Sequence, residues 1–189
     1  MLGEGKLTVP YDENYDSQTQ KPAIADVIAA IQVREENQVP ATAYYGLSDA
    51  TPEIIATFKP FWEQLAPEYR AKLLSALADA SETDFNFDYR ELGYLGLEDL
   101  DSDVRIAAIN LLWADESLTY LTTLIRFAEN DENAQVRAAA ISEVGRFILL
   151  GEYEEIPAAD ASQVQDVAIN ILSDSSEHVE VRRRALEAI

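Results

Sequence analysis

Apolar positions along this chain recur with a helical period. Ile24, Val27, Ile28 and Ile31 fall at i, i+3, i+4 and i+7, one face of a single helix. Pro22 suits the start of that helix, and Glu35-Glu36-Asn37 closes the apolar stripe. Residues 38–50 read as a connection, because Val39-Pro40 disfavours helix and Ser48-Asp49 precedes the next start signal. From Thr51 the pattern is helix after helix. Thr51 is an N-cap candidate with Pro52 at the first helical position, and the stripe runs through Ile54, Ile55, Phe58, Phe61, Trp62 and Leu65. Pro67 breaks the pattern before Tyr69, Leu73, Leu74 and Leu77 begin another stripe. Phe85-Asn86-Phe87-Asp88 alternates like a strand but is too short to outweigh its surroundings. The expectation is an all-α chain with helix pairs at 52–65 with 68–80, 87–99 with 102–114, 117–130 with 133–149, and 160–173 with 178–189.

Those pairs repeat one another. Tyr69-Arg70, Val104-Arg105, Val136-Arg137 and Val181-Arg182 each open a segment with Leu73, Ala108, Ala140 or Ala185 at the fourth position on. Leu77, Leu112, Val144 and Ile189 follow at the eighth. A helix pair this short cannot bury both of its apolar faces alone, so stacking of neighbours is required. The small residue permits close approach and the large aliphatic fills the layer below. Acidic clusters precede the last three segments: Asp99, Asp101 and Asp103; Asp131 and Glu132; Asp174, Glu177 and Glu180.

The register resembles the HEAT-repeat family, including the HEAT-like repeats of the phycobilisome-lyase type. The signature stands here as Ser102-Asp103-Val104-Arg105 and Ala134-Gln135-Val136-Arg137, with Pro60 matching the proline that first helices of the family often carry. The resemblance covers Thr51 to Ile189. It implies a right-handed α-solenoid of about four HEAT-like helix pairs. It also implies a structural ladder in which Asp103, Arg105, Arg137 and Arg182 link successive repeats. In this reading residues 1–20 are a flexible arm, 21–50 a capping helix and connection, and 51–189 the array. Gly151 to Ala158 is an insertion that lengthens the last interval. The final helix runs to Ile189 with no Gly or Asn stop, so the array is expected to continue or to be covered by another chain.

Composition narrows the partners. Thirty-five acidic residues face 14 basic ones, a formal net charge of -21. Such a surface repels phosphate backbones and anionic lipid headgroups, so neither nucleic acid nor membrane is expected to bind, and a protein with a basic surface is. There are no cysteines, which removes disulfides and thiolate chemistry. No signal peptide or spanning segment is visible, so a cytoplasmic protein is the expectation.

Candidate chemistry is thin. Asp99, Asp101 and Asp103 have calcium-loop spacing, but Val104 and Asn110 stand where that loop needs Gly and an acidic ligand. N-cap carboxylates are the better reading. His178 is the one histidine and is expected at a helix start. Gly93 and Gly96 lie in an apolar helical stretch and suit close packing better than phosphate binding. Asp84, Asp88 and Glu91 could face one another, but carboxylates are too frequent here to single them out. Arg182-Arg183-Arg184 is the one basic cluster. No catalytic residue, cofactor or metal is therefore expected.

The resemblance points to a non-catalytic scaffold that binds a protein through the concave face lined by second helices. The outward positions are Ile106 and Asn110; Ala138, Ser142 and Arg146; and Arg183 and Glu187. Ile106 is expected to be an exposed apolar anchor there. A second expectation by analogy is a subunit of a bilin lyase or isomerase, against which stand the absence of Cys and the scarcity of basic residues for propionates. Glycosylase activity on a similar scaffold needs a basic face, which the net charge opposes.

Overall fold

A computed structural model describes residues 21–35 and 38–189. The arm expected at 1–20, with Tyr11 and Tyr15, lies outside the described residues, as do Glu36 and Asn37. The described chain is all helical, with 10 helices that pack together. They are α1 Ile24–Gln32, α2 Ala41–Leu47, α3 Pro52–Trp62, α4 Pro67–Thr83, α5 Arg90–Leu97, α6 Ser102–Leu111, α7 Leu118–Asn130, α8 Ala134–Glu152, α9 Ala158–Ser173 and α10 Val179–Ala188.

Local chemistry sets most of the starts. Thr51 caps α3 by accepting the Ile54 amide, with Pro52 next to it. Asp101 caps α6, Ser117 caps α7 and Asn133 caps α8, each taking an orphan amide of the first turn on its side-chain oxygen. His178 caps α10 through Nδ1, which accepts the Glu180 amide at 3.2 Å.

Two boundaries differ from the sequence reading. The stretch 38–50 is not a plain connection, because α2 lies within it. Pro40 sits immediately before that helix, with extended backbone, so it starts a helix rather than forbidding one. Ala43, Gly46 and Leu47 then share the buried face. The expected insertion at 151–158 is also shorter, because α8 continues through Gly151 to Glu152. A Cβ on Gly151 would stand 2.7 Å from the Ala161 Cβ. That glycine is a helix-crossing position between α8 and α9.

The even-numbered helices stack side by side in the order α4, α6, α8, α10. Against them lie α5 on α6, α7 on α8, and α9 on α8 and α10. The first pair departs from this plan, since α3 runs against α1 and α5. The core follows the repeat register. Tyr69, Val104, Val136 and Val181 are buried, and Leu73, Ala108, Ala140 and Ala185 are completely so. Leu77, Leu112 and Val144 are sealed in the layer below, and each contributes roughly 1.5–3 kcal/mol. Ile189 breaks the series: it follows the last helical residue and is 58% exposed.

Candidate functional site

The two ends of the even helices carry two surfaces, each built by a different set of loops. The loops from odd to even helices carry an arginine ladder. Arg70 at the start of α4 donates to Asp99 at 3.0 Å, in the loop before α6. Arg105 at the start of α6 grips Asp131, in the loop before α8, with two bonds of 2.9 Å. Arg137 of α8 grips Glu177, before α10, with bonds of 2.9 and 2.7 Å. Each rung therefore joins one even helix to the loop that starts the next.

The rungs also brace their own loops. Arg105 Nη1 donates to the carbonyls of Asp99 and Leu100, and Arg137 Nη1 to those of Asp131 and Glu132. The Arg105–Asp131 side chains are only 9% and 6% exposed. Removing one member of a pair so enclosed strands the other charge, which costs about 3–5 kcal/mol. The Arg137 guanidinium, by its hydrogen bonds, holds the Glu177 carboxyl below its ordinary range.

The sequence reading misplaced one member. Asp103 is exposed in the first turn of α6, where its amide donates to Asp101. The acids that pair are Asp99, Asp131 and Glu177, from the clusters ahead of each helix. Asp103 is nearer to Arg105 in sequence but on the same turn, so the arginine reaches across to the next loop instead. Within the acidic trio, Asp101 is a cap and Asp99 is an ion-pair acceptor that also takes the Trp62 indole N–H at 3.2 Å. Arg182 donates Nε to the Leu172 carbonyl at 3.0 Å.

The outward positions fare unevenly. Asn110 and Ser142 are exposed. Arg183 and Glu187 are exposed too, but they pair with each other and Arg183 also with Glu180, so this charge is largely satisfied locally. Ile106 is half-buried and packs on the core, and Ala138 is buried. Neither is an exposed anchor. The cause is the close stacking of α6 between α4 and α8, and of α8 between α6 and α10, which shields the position next to the arginine. Arg146 turns to the opposite edge, where Nη2 donates to the Asp115 carbonyl at 2.9 Å. Glu143 lies beside it, and burial raises its carboxyl against the pull of Arg146.

That opposite edge is made by the loops from even to odd helices. It holds an open cleft of about 450 Å³ bordered by Asp49, Asp88, Arg90, Glu91 and Asp115. The Asp49 amide donates to the Asp88 carbonyl, tying the α2–α3 and α4–α5 loops together. Asp49 itself adopts a left-handed backbone, φ 48°. Asp115 is buried, accepting the Tyr94 hydroxyl and the Ser117 amide, both at 2.8 Å. A neighbouring cleft of about 220 Å³ shares Asp88, Arg90 and Asp115 and is faced by Phe85 and Trp113. The sequence offered Asp88 and Glu91 only as members of a crowded acidic population. Nothing in the sequence joined them to Asp49 and Asp115, because Asp49, Asp88 and Asp115 come from three separate loops.

Among the described residues, no group of three or more His, Asp or Glu is arranged to hold a metal ion, and no helix is long and apolar enough to cross a membrane. No protein-family model matches this sequence, and comparison with curated proteins and with solved structures returns no match.

Proposed function

We propose that this chain is a non-catalytic protein-interaction scaffold, an α-solenoid of HEAT-like helix pairs that binds a protein partner on the face formed by α4, α6, α8 and α10. The supporting observation is the ladder. Three arginines at one sequence register each join an even helix to the loop before the next, which fixes these helices in one continuous layer. A rigid layer holds its exposed side chains at set spacings, which is what a docking face needs. Asn110 and Ser142 are the exposed positions near its middle. The high negative charge favours a partner with a basic surface.

The test uses the double variant Asn110→Arg with Ser142→Arg as bait beside the parent chain, in extract from the native source. Both substitutions fall on exposed positions, so the melting temperature is expected to stay near that of the parent. A protein captured by the parent and lost by the variant supports the face assignment. Equal capture by both overturns it. Ile106→Asp is unsuited to this experiment, because Ile106 packs on the core and its replacement perturbs folding. Small-angle scattering tests the solenoid independently: an elongated profile supports it, and that of a compact sphere does not.

A further inference from the structure

We propose that the edge opposite the ladder is a docking groove for a basic peptide segment, which seats an apolar side chain on Phe85 and Trp113 and an Arg or Lys in the acidic cleft beside them. The side chains that would hold the peptide lie outside α4, α6, α8 and α10, so the groove stands or falls separately from that reading.

The apolar half comes first. Phe85 is 80% exposed at the tip of the loop between α4 and α5. The tip is held in place: the Asp84 carboxylate accepts both the backbone and side-chain N–H of Asn86. The Phe85 ring lies 6.0 Å from that of Trp113, tilted by 52°. Trp113 is fixed in turn, because its indole N–H donates to Ser81 Oγ at 3.0 Å. An exposed Phe85 ring beside a half-buried, hydrogen-bonded Trp113 forms a preorganised apolar seat, which costs a ligand little ordering entropy.

Charge selects the occupant. The aromatic cleft and the acidic cleft share walls at Asp88, Arg90 and Asp115. Arg90 is committed to Asp88 through Nε and Nη2. Asp49, Glu91 and Asp115 have no ion-pair partner among the described residues. Lys21 Nζ donates to the Ser48 and Asp49 carbonyls and Arg146 to that of Asp115, so with Arg90 three cations border the groove, still outnumbered by the carboxylates of Asp49, Asp88, Glu91 and Asp115 beside an aromatic face. A guanidinium or ammonium satisfies both, through carboxylate bonds and through the ring faces. A second copy of this chain is a poor occupant, since it brings its own charge of -21.

The two tryptophans make the groove readable. Trp62 is 2% exposed, so a ligand-induced change in emission reports Trp113. The probe is a short unstructured peptide with an Arg-Leu-Lys core flanked by Gly and Ser. Its control has a Glu-Leu-Glu core. The first peptide is expected to shift Trp113 emission saturably and the control to leave it unchanged. Glu91→Gln and Phe85→Ala are each expected to weaken binding roughly two- to fivefold, and the double variant roughly tenfold. Binding is expected to weaken as salt rises.

Both substituted residues lie outside the core, and unchanged circular dichroism and melting temperature establish that the variants fold. Absence of binding by the basic peptide overturns the proposal. So does equal binding of both peptides, or undiminished affinity in the double variant. Loss of binding in the Asn110→Arg, Ser142→Arg chain with retention in the groove variants would assign the peptide to the even-helix face, and would also overturn it.

Discussion

At the scale of single residues, the ladder makes a prediction about acid. The Glu177 carboxyl sits below its ordinary value, near 4.5, because Arg137 hydrogen-bonds its charged form. The folded state therefore binds this proton less readily than the unfolded state does. The rung contributes fully above pH 4.5 and is lost as the pH falls through the lowered folded value. Urea titrations of the parent and of Glu177→Gln are expected to show the parent more stable at pH 7, with the gap closing as pH drops below about 4.5. A gap that persists unchanged into acid would mean that the carboxylate charge is not what the rung uses. The arginines of this ladder were legible in the sequence, since Val or Tyr followed by Arg recurs at one register. Their partners were not. The family signature points to Asp103, whereas the arginine side chain reaches across to the loop before the next even helix, to Asp99, Asp131 or Glu177.

At the scale of elements, the glycines govern how closely helices cross. A Cβ on Gly96 of α5 would stand 2.8 Å from both the Ala108 Cβ of α6 and a Leu74 methyl of α4. The leucine tip can turn away, but the alanine Cβ is fixed to its backbone. Gly96→Val is expected to push α5 off α6 and to destabilise by about 1–3 kcal/mol, measured by urea denaturation. An effect well under that range would show that α5 is loosely seated. The same physics explains which elements the sequence revealed. The helices from α3 to α10 were readable because start signals and apolar residues recur in one register. Helix α2 was obscured because proline marks a boundary without saying on which side the helix lies. Gly151 reads as the start of an insertion because a packing glycine and a loop glycine look alike until the facing Ala161 is known. The first pair looks equivalent to the others in register, but α3, with Phe58 and Trp62 buried, packs against α1 and α5.

At the scale of the whole molecule, charge and packing oppose each other. A net charge of -21 on 189 residues makes the folded chain repel itself. Salt screens exposed charges strongly and enclosed pairs such as Arg105–Asp131 far less. Raising sodium chloride from about 0.02 to 0.3 M is therefore expected to raise the melting temperature in scanning calorimetry. A fall would mean that ion pairing outweighs repulsion in this chain. The candidate groove was the least legible feature at this scale. Its rings and carboxylates come from separate loops, and only the stacking of helices brings Asp49, Asp88 and Asp115 to one edge.

The placement of the rungs has a mechanical consequence. The three closest arginine–carboxylate links between repeats lie along one margin of the helix layer, where odd helices turn into even ones. The other margin is held mainly by single hydrogen bonds such as Tyr94 to Asp115 and Trp113 to Ser81. A stack bound this way is stiffer along its ion-paired spine than at the opposite edge, where an applied load is expected to part neighbouring leaves first, as in a book. Bending the layer would widen or pinch the gaps between neighbouring leaves there, and acid that loosens the spine would free the hinge.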